Sequence, residues 1–267
     1  MKRFLYLIPV LMLVQCSTPK NAASGSGKAS AATKSFYAIR VYHLSNPDQI
    51  TLVDGYLRSA YLPALHRQGV TNVGVFKPVD NDTAADKKVV VFMPLQSLQQ
   101  FVNISNSLSG DVTLEQNSPA YVNAPYNNPP FARFETILLQ AFDQMPGMAV
   151  PQLSSAKSQR IYELRSYEGP TEKLYQNKVE MFNVGGEVPL FKRLNFNAVF
   201  YASVLSGAHM PNLMYMTTFE NRAEREAHWK SFTNDPEWKT LSSSEKYQHN
   251  VSKADIWLMT PTDYSDF

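Results

Sequence analysis

The sequence predicts an α+β protein of two tandem ferredoxin-like (βαββαβ) repeats packed sheet to sheet as a fused dimeric α/β barrel. Two observations predict it: the chain repeats itself, and each copy alternates strand-like with helix-like hydrophobic spacing. Phe36-Tyr-Ala-Ile-Arg-Val-Tyr42 matches Ile161-Tyr-Glu-Leu-Arg-Ser-Tyr167, with Tyr, Arg and Tyr at the same spacing. Both segments are rich in β-branched and aromatic residues and alternate with a period of two, as strands do. Farther on, Leu62-Pro63 and Arg67 line up with Val188-Pro189 and Arg193.

The elements follow in order. After the first strand, Asn46 is a helix N-cap, with Pro47 at the first helical position and Gln49 three residues past the cap. Ile50, Val53, Leu57, Ala60, Tyr61, Ala64 and Leu65 then form an apolar stripe at helical spacing, and Pro63 is expected to bend or break the last turn. Apolar segments at Val70 to Lys77 and Phe196 to Ser206 give each repeat its second strand, and Lys88 to Met93 and Asn212 to Thr218 the third. Capping-box signals, Ser97-x-x-Gln100 and Asn221-x-x-Glu224, start the second helices. Phe134 to Phe142 and Ala254 to Met259 are the closing strands. A four-stranded sheet with helices on one face leaves the other face bare, and two repeats cover each other by bringing those faces together. An insertion, Ser109 to Pro130, precedes the first closing strand. It offers tyrosines but no His or Cys, and is read as decoration.

The domain division is then 36–143 for a divergent first repeat, 144–159 for a linker and 160–267 for the second repeat. Ahead of them, residues 1–15 have the form of a bacterial lipoprotein signal peptide. Lys2 and Arg3 are a basic start, Phe4 to Val14 an apolar run, and Leu13-Val14-Gln15-Cys16 a cleavage box. The run is shorter than the roughly 20 residues that span a bilayer. Cys16 is the expected lipidation site, and residues 16–35 are a flexible Ser/Ala/Gly/Lys tether. The expected location is the bacterial cell envelope, at the outer membrane facing the periplasm, with the lipid anchor as the membrane contact. Cys16 is the only cysteine, so packing alone holds the folded part.

Removing Lys2 and Arg3 with the leader takes the formal charge from +2 to zero. That balance gives no basic footprint, and no nucleic-acid partner is expected. The chain has no GxSxG, HExxH, CxxC, Walker A or complete GxGxxG motif, which removes most support for hydrolase, zincin, thiol-redox, P-loop and dinucleotide chemistry. No cofactor and no metal site is expected.

In the second repeat, Ile161-Tyr-Glu-Leu-Arg-Ser-Tyr167, Phe219-Glu-Asn, Arg222-Ala-Glu-Arg-Glu-Ala-His-Trp229 and Phe232-Thr-Asn-Asp-Pro-Glu-Trp238 resemble the NIPSNAP family, one of the dimeric α/β-barrel proteins. The first repeat lacks the Trp-bearing helix and the Asp-Pro-x-Trp turn. The resemblance implies the fold; it carries no agreed reaction or catalytic set.

Among candidate residues, Tyr162 and Leu164 are assigned to the helix-packed core. Glu163, Arg165 and Tyr167, with Arg40 and Tyr42, are then expected to face the opposing sheet as an inter-sheet polar network. His228, with Glu224 one turn before it, and Trp229 are pocket or catalytic candidates on the second helix. Tyr201, Tyr215 and His209 complete that set. Tyr175, Met181, Phe182, Tyr201, Met214 and Met216 are expected to line a cavity between sheet and helices, with Trp229, Phe232 and Trp238 as core.

The functional expectation is a membrane-anchored protein, monomeric or homo-oligomeric, that binds a small apolar or aromatic ligand or a partner protein. The alternative is a cofactor-independent oxygenase or isomerase acting on an aromatic substrate in the second repeat's cavity, or haem binding there through His228 or His209.

Overall fold

Strands of one repeat pair with strands of the other along two antiparallel seams. The computed structural model describes residues 33–267; the expected leader, Cys16 and most of the tether lie outside them. The first repeat runs β1 (Phe36–Leu44), α1 (Pro47–Tyr56), a π-helical turn (Leu57–Tyr61), α2 (Leu62–Arg67), β2 (Gly74–Pro78), β3 (Lys87–Leu95) and α3 (Leu98–Leu108). Short helices α4 (Val112–Asn117) and α5 (Pro119–Val122) follow, then β4 (Arg133–Ala141). The second runs β5 (Ile161–Glu168), α6 (Glu172–Asn183), α7 (Glu187–Arg193), β6 (Phe200–Ser206), β7 (Asn212–Phe219), α8 (Arg222–Asn234), α9 (Pro236–Ser243) and β8 (Lys253–Pro261).

Each repeat orders its strands with the first and third at the centre. The two sheets then join along their edges, β2 to β8 and β4 to β6, into one closed barrel. Closure leaves no free strand edge. The faces that each repeat alone would leave bare meet inside, where Tyr37, Phe76, Phe92, Tyr162, Phe200 and Met216 are fully buried. Two further cores lie outside the barrel wall, one under the helices of each repeat.

Local chemistry sets the helix starts as the sequence requires. Asn46, Ser97 and Asn221 each accept a hydrogen bond from the backbone N–H three residues on, and Thr171 does the same for α6. Pro63 does not break its helix. The π-helical turn just before it widens the ladder so that Leu62 donates to the Leu57 carbonyl, and Pro63 enters at the start of α2. The insertion is not loose decoration either: it forms α4 and α5 and lays Tyr121 against the first repeat's core. The linker is tied down by Glu220, whose carboxylate accepts from Ser154 and Ser155 backbone N–H groups at 2.9 and 2.7 Å. Those bonds and the serine hydroxyls hold its pKa down at about 2.

Candidate functional site

Alternation along β5 places two sets of side chains on opposite sides of the barrel wall. Tyr162 and Leu164 point into the barrel, and Glu163, Arg165 and Tyr167 point out toward α6, α7 and α8. This reverses the sequence expectation. The polar residues, like Arg40 and Tyr42 on β1, form no network between sheets; each set stays under the helices of its own repeat. The reason is that both faces of these strands are covered, and the barrel interior takes the apolar set.

Outside the wall, Arg165 and Tyr167 floor a cleft of about 490 Å3, lined also by Lys178, Glu187, Arg225, Trp229, Phe232 and Trp238, with Glu163 beneath them. Glu163 is its anchor and is fully buried. Its oxygens accept from Arg165 Nε at 2.6 Å, Arg225 Nε at 2.8 Å and Trp229 Nε1 at 2.8 Å. Burial would raise the Glu163 pKa, but the hydrogen bond from Arg225, the charge of Arg165 and the indole N–H together hold it below the ordinary range. Arg165 then donates through Nη1 to the Tyr167 hydroxyl at 2.8 Å, and that hydroxyl shares a hydrogen bond with Tyr215 at 2.9 Å. The Arg165 guanidinium also lies over the Trp229 ring, 3.7 Å from its centroid. Burial pushes the Tyr215 phenol well above its usual value.

At the other end of the floor, Lys178 donates to Glu187 at 2.8 Å, both almost without solvent contact. Burial pushes the Glu187 carboxyl up, and Lys178 and then Arg165 oppose the rise. The walls are aromatic: Phe191 stacks on Phe232 at 4.8 Å, and Phe232 meets Trp238 at 4.4 Å. Aromatic walls with polar groups at one end are complementary in shape and chemistry to a flat apolar body that carries a polar group.

The other candidates are dispersed. His228 sits on the far side of α8, where Nδ1–H donates to the Glu224 carbonyl at 2.8 Å and the ring packs on Phe196 and Phe219. Glu224 is exposed and offers its backbone, not its carboxylate, so the two form no acid–base couple. Trp229 and Tyr215 do line the cleft. Tyr201 faces an adjacent cavity of about 550 Å3, with Gln144, Met145, Lys192 and Asn197, separated from the cleft by Phe191. His209 stands at one mouth of the barrel, 3.1 Å from Glu168, beside a small cavity with Asn212 and Trp257. Met214 and Met216 point into the barrel and not into the cleft, whereas Tyr175 and Phe182 belong to the core beneath the helices.

No histidine lines the cleft, so neither His228 nor His209 fits there as an axial haem ligand. Among the described residues no three His, Cys, Asp or Glu side chains group as a metal site. Lys178, Glu187 and Arg225 escaped sequence reasoning. A signal for the first existed: Lys178 interrupts the apolar stripe that Met181 and Phe182 share on α6.

Comparison with known proteins gives a likeness in fold over most of the chain and a family match over its second repeat. A proposed monooxygenase of Fusobacterium nucleatum superposes with a TM-score of 0.55 at 4% identity, covering 86% of this chain and 93% of its own. One of Lactobacillus acidophilus gives 0.55 at 10% identity, covering 85% and 94%. At these identities both show the two-repeat fold alone. A NIPSNAP family protein of Agrobacterium tumefaciens covers 40% of this chain and 96% of its own, with a TM-score of 0.36 and 15% identity. No curated protein sequence matches the chain. The NIPSNAP family model matches residues 162–266. The chain therefore carries a NIPSNAP family domain in its second repeat, the half that holds the open cleft.

Proposed function

We propose that the second repeat binds a small aromatic molecule in the cleft between its sheet and helices, with the ring among Phe191, Trp229, Phe232 and Trp238. The observation that carries this is the half-buried Arg165–Tyr167–Tyr215 hydrogen-bonded chain at the floor of an aromatic-walled cleft. Donors fixed by their own hydrogen bonds are what a binding site supplies in advance. Trp229 and Trp238 report occupancy directly. A panel of benzoate, p-cresol, 1-naphthol and indole is titrated while tryptophan emission is read. Saturable quenching that weakens at least tenfold in Arg165→Met supports the site, and the absence of saturable change with every probe up to millimolar concentration overturns it.

Catalysis in the same cleft is a second reading, favoured by Glu187. A carboxyl pushed up by burial at the cleft floor is a proton acceptor of the kind an oxygenase or isomerase without cofactor needs. Turnover of a bound probe that is lost in Glu187→Gln, with binding retained, distinguishes it from simple binding.

We further propose that the protein is a lipoprotein held to the cell envelope through Cys16. The basic, apolar and Leu-x-x-Cys order of residues 2–16 supports this. Radiolabelled palmitate incorporation in a double-membraned bacterium, abolished by Cys16→Ala, tests it; labelling that survives the substitution removes it.

A further inference from the structure

The first repeat keeps the pair that heads the cleft in the second. Arg40 and Tyr42 stand on β1 where Arg165 and Tyr167 stand on β5. Around the pair the surroundings differ. Ala38 replaces Glu163, and among the described residues no carboxylate pairs with Arg40, whose Nε is buried without a hydrogen-bond partner. The Tyr42 hydroxyl is likewise buried and without an acceptor or donor in hydrogen-bond geometry. Opposite Tyr167, β8 leaves room with Ala254; opposite Tyr42, β4 carries Phe134. Phe134 and Phe131 pack on Tyr42 at 5.7 and 5.9 Å.

The remaining space is filled from the insertion. Tyr121 on α5 lies flat against Tyr56, with ring centroids 3.7 Å apart and planes within 4°. Aromatic pairs that are free to slide avoid so nearly eclipsed a sandwich, because their quadrupoles repel. Tyr121 also meets Phe131, the ring that packs on Tyr42, at 5.9 Å, so it lies in the same core as the unpartnered Tyr42 hydroxyl. Burial first and then Tyr42 push its phenol up. A helix of four residues has no stability of its own, so Tyr121 is what seats α5.

We propose that the first repeat contains a second, latent binding site for a planar phenol, and that Tyr121 occupies it in place of ligand. The aromatic body lies on Tyr56, and the ligand hydroxyl is offered the Arg40 Nε and Tyr42 hydroxyl, both buried without a hydrogen-bond partner. Extending this to the second repeat rests on the ligand reading of that cleft, and it narrows the ligand there to hydroxyl-bearing aromatics.

The test is the stoichiometry of p-cresol binding by equilibrium dialysis to the protein and its variants. Wild type is expected to bind one equivalent and Tyr121→Ala two. Tyr121→Ala combined with Arg165→Met returns to one, held by the first repeat. One equivalent in both wild type and Tyr121→Ala overturns the latent site and leaves the second repeat's cleft standing. None in wild type but one in Tyr121→Ala supports the latent site and sinks the cleft reading. None in either overturns both. Toluene is the control for the hydroxyl: equal occupancy by toluene in Tyr121→Ala overturns the phenol assignment. If Tyr121→Ala does not fold, Tyr121→Phe keeps the ring. It is expected to melt lower than the exposed control Tyr126→Phe, and equal melting of the two overturns the polar role of its hydroxyl.

Discussion

Arg165 and Trp229 hold each other in place through a third residue. The guanidinium covers the indole face at 3.7 Å while both groups donate to Glu163. Removing Glu163 therefore strips partners from two arginines and an indole at once. Glu163→Ala is expected to cost about 3–5 kcal/mol, the range for an uncompensated buried charge. Urea unfolding checks it, and a loss below about 1 kcal/mol would show that water reaches the arginines and replaces the carboxylate.

The Lys178–Glu187 pair makes a sharper case because both partners are buried. Lys178→Met or Glu187→Leu alone is expected to cost about 3–5 kcal/mol, each leaving its partner uncompensated. The double variant should recover most of that loss, since an apolar pair avoids the desolvation of two charges. Strict additivity of the two losses in a double-mutant cycle would mean that the pair does not interact as the geometry has it.

Acid acts on these two carboxyls with opposite sign. Glu163, held below the ordinary value of 4.5, gives stability that is complete above that pH and is lost as pH falls through its lower native value. Glu187, raised by burial, contributes fully below 4.5 and loses that contribution as pH rises through its higher native value. Measured against wild type, Glu163→Gln should close its stability gap as pH drops below 4.5. Glu187→Gln should gain relative to wild type between pH 4 and 7. Parallel stability curves across this range would remove both assignments.

The turn between α6 and α7 places Glu187. Gly186 adopts φ +100°, and a Cβ on Gly185 would meet the Met181 carbonyl at 2.6 Å. Gly186→Ala is expected to cost about 1–2 kcal/mol for the left-handed backbone. Gly185→Ala should cost about 1–3 kcal/mol through overpacking. Both should also weaken ligand binding in the cleft, read as a shift in the tryptophan titration. A variant that unfolds more easily but binds unchanged would separate the turn from the site.

The repeat architecture was legible because both copies keep strand spacing, Tyr-x-x-Arg-x-Tyr and side-chain caps at Asn46, Ser97 and Asn221. Those are local signals, read from neighbours in the chain. Which side of β5 faces inward was not legible. Period two separates Tyr162 and Leu164 from Glu163, Arg165 and Tyr167, but when both faces are buried the pattern does not say which buried layer is which. For the same reason the spacing on β7 does not tell that Met214 and Met216 face the barrel interior and not the cleft. Glu187 and Lys178 become a pair only when α7 folds back over α6 at Gly185–Gly186, a contact with no periodic trace. Tyr121 is a single residue in an irregular insertion, and its role depends on a stack with Tyr56 that only the folded chain creates.

The closing of the barrel by β2–β8 and β4–β6 has a consequence for descent. In an assembly of two identical chains, each substitution appears twice, so an open cleft cannot be filled on one side and kept on the other. Joining the halves in one polypeptide removes that symmetry. The first half is then free to trade its cleft for Phe134 and Tyr121, while the second keeps Ala254 and its opening. Neither half gives up the shared interior that makes each necessary to the other.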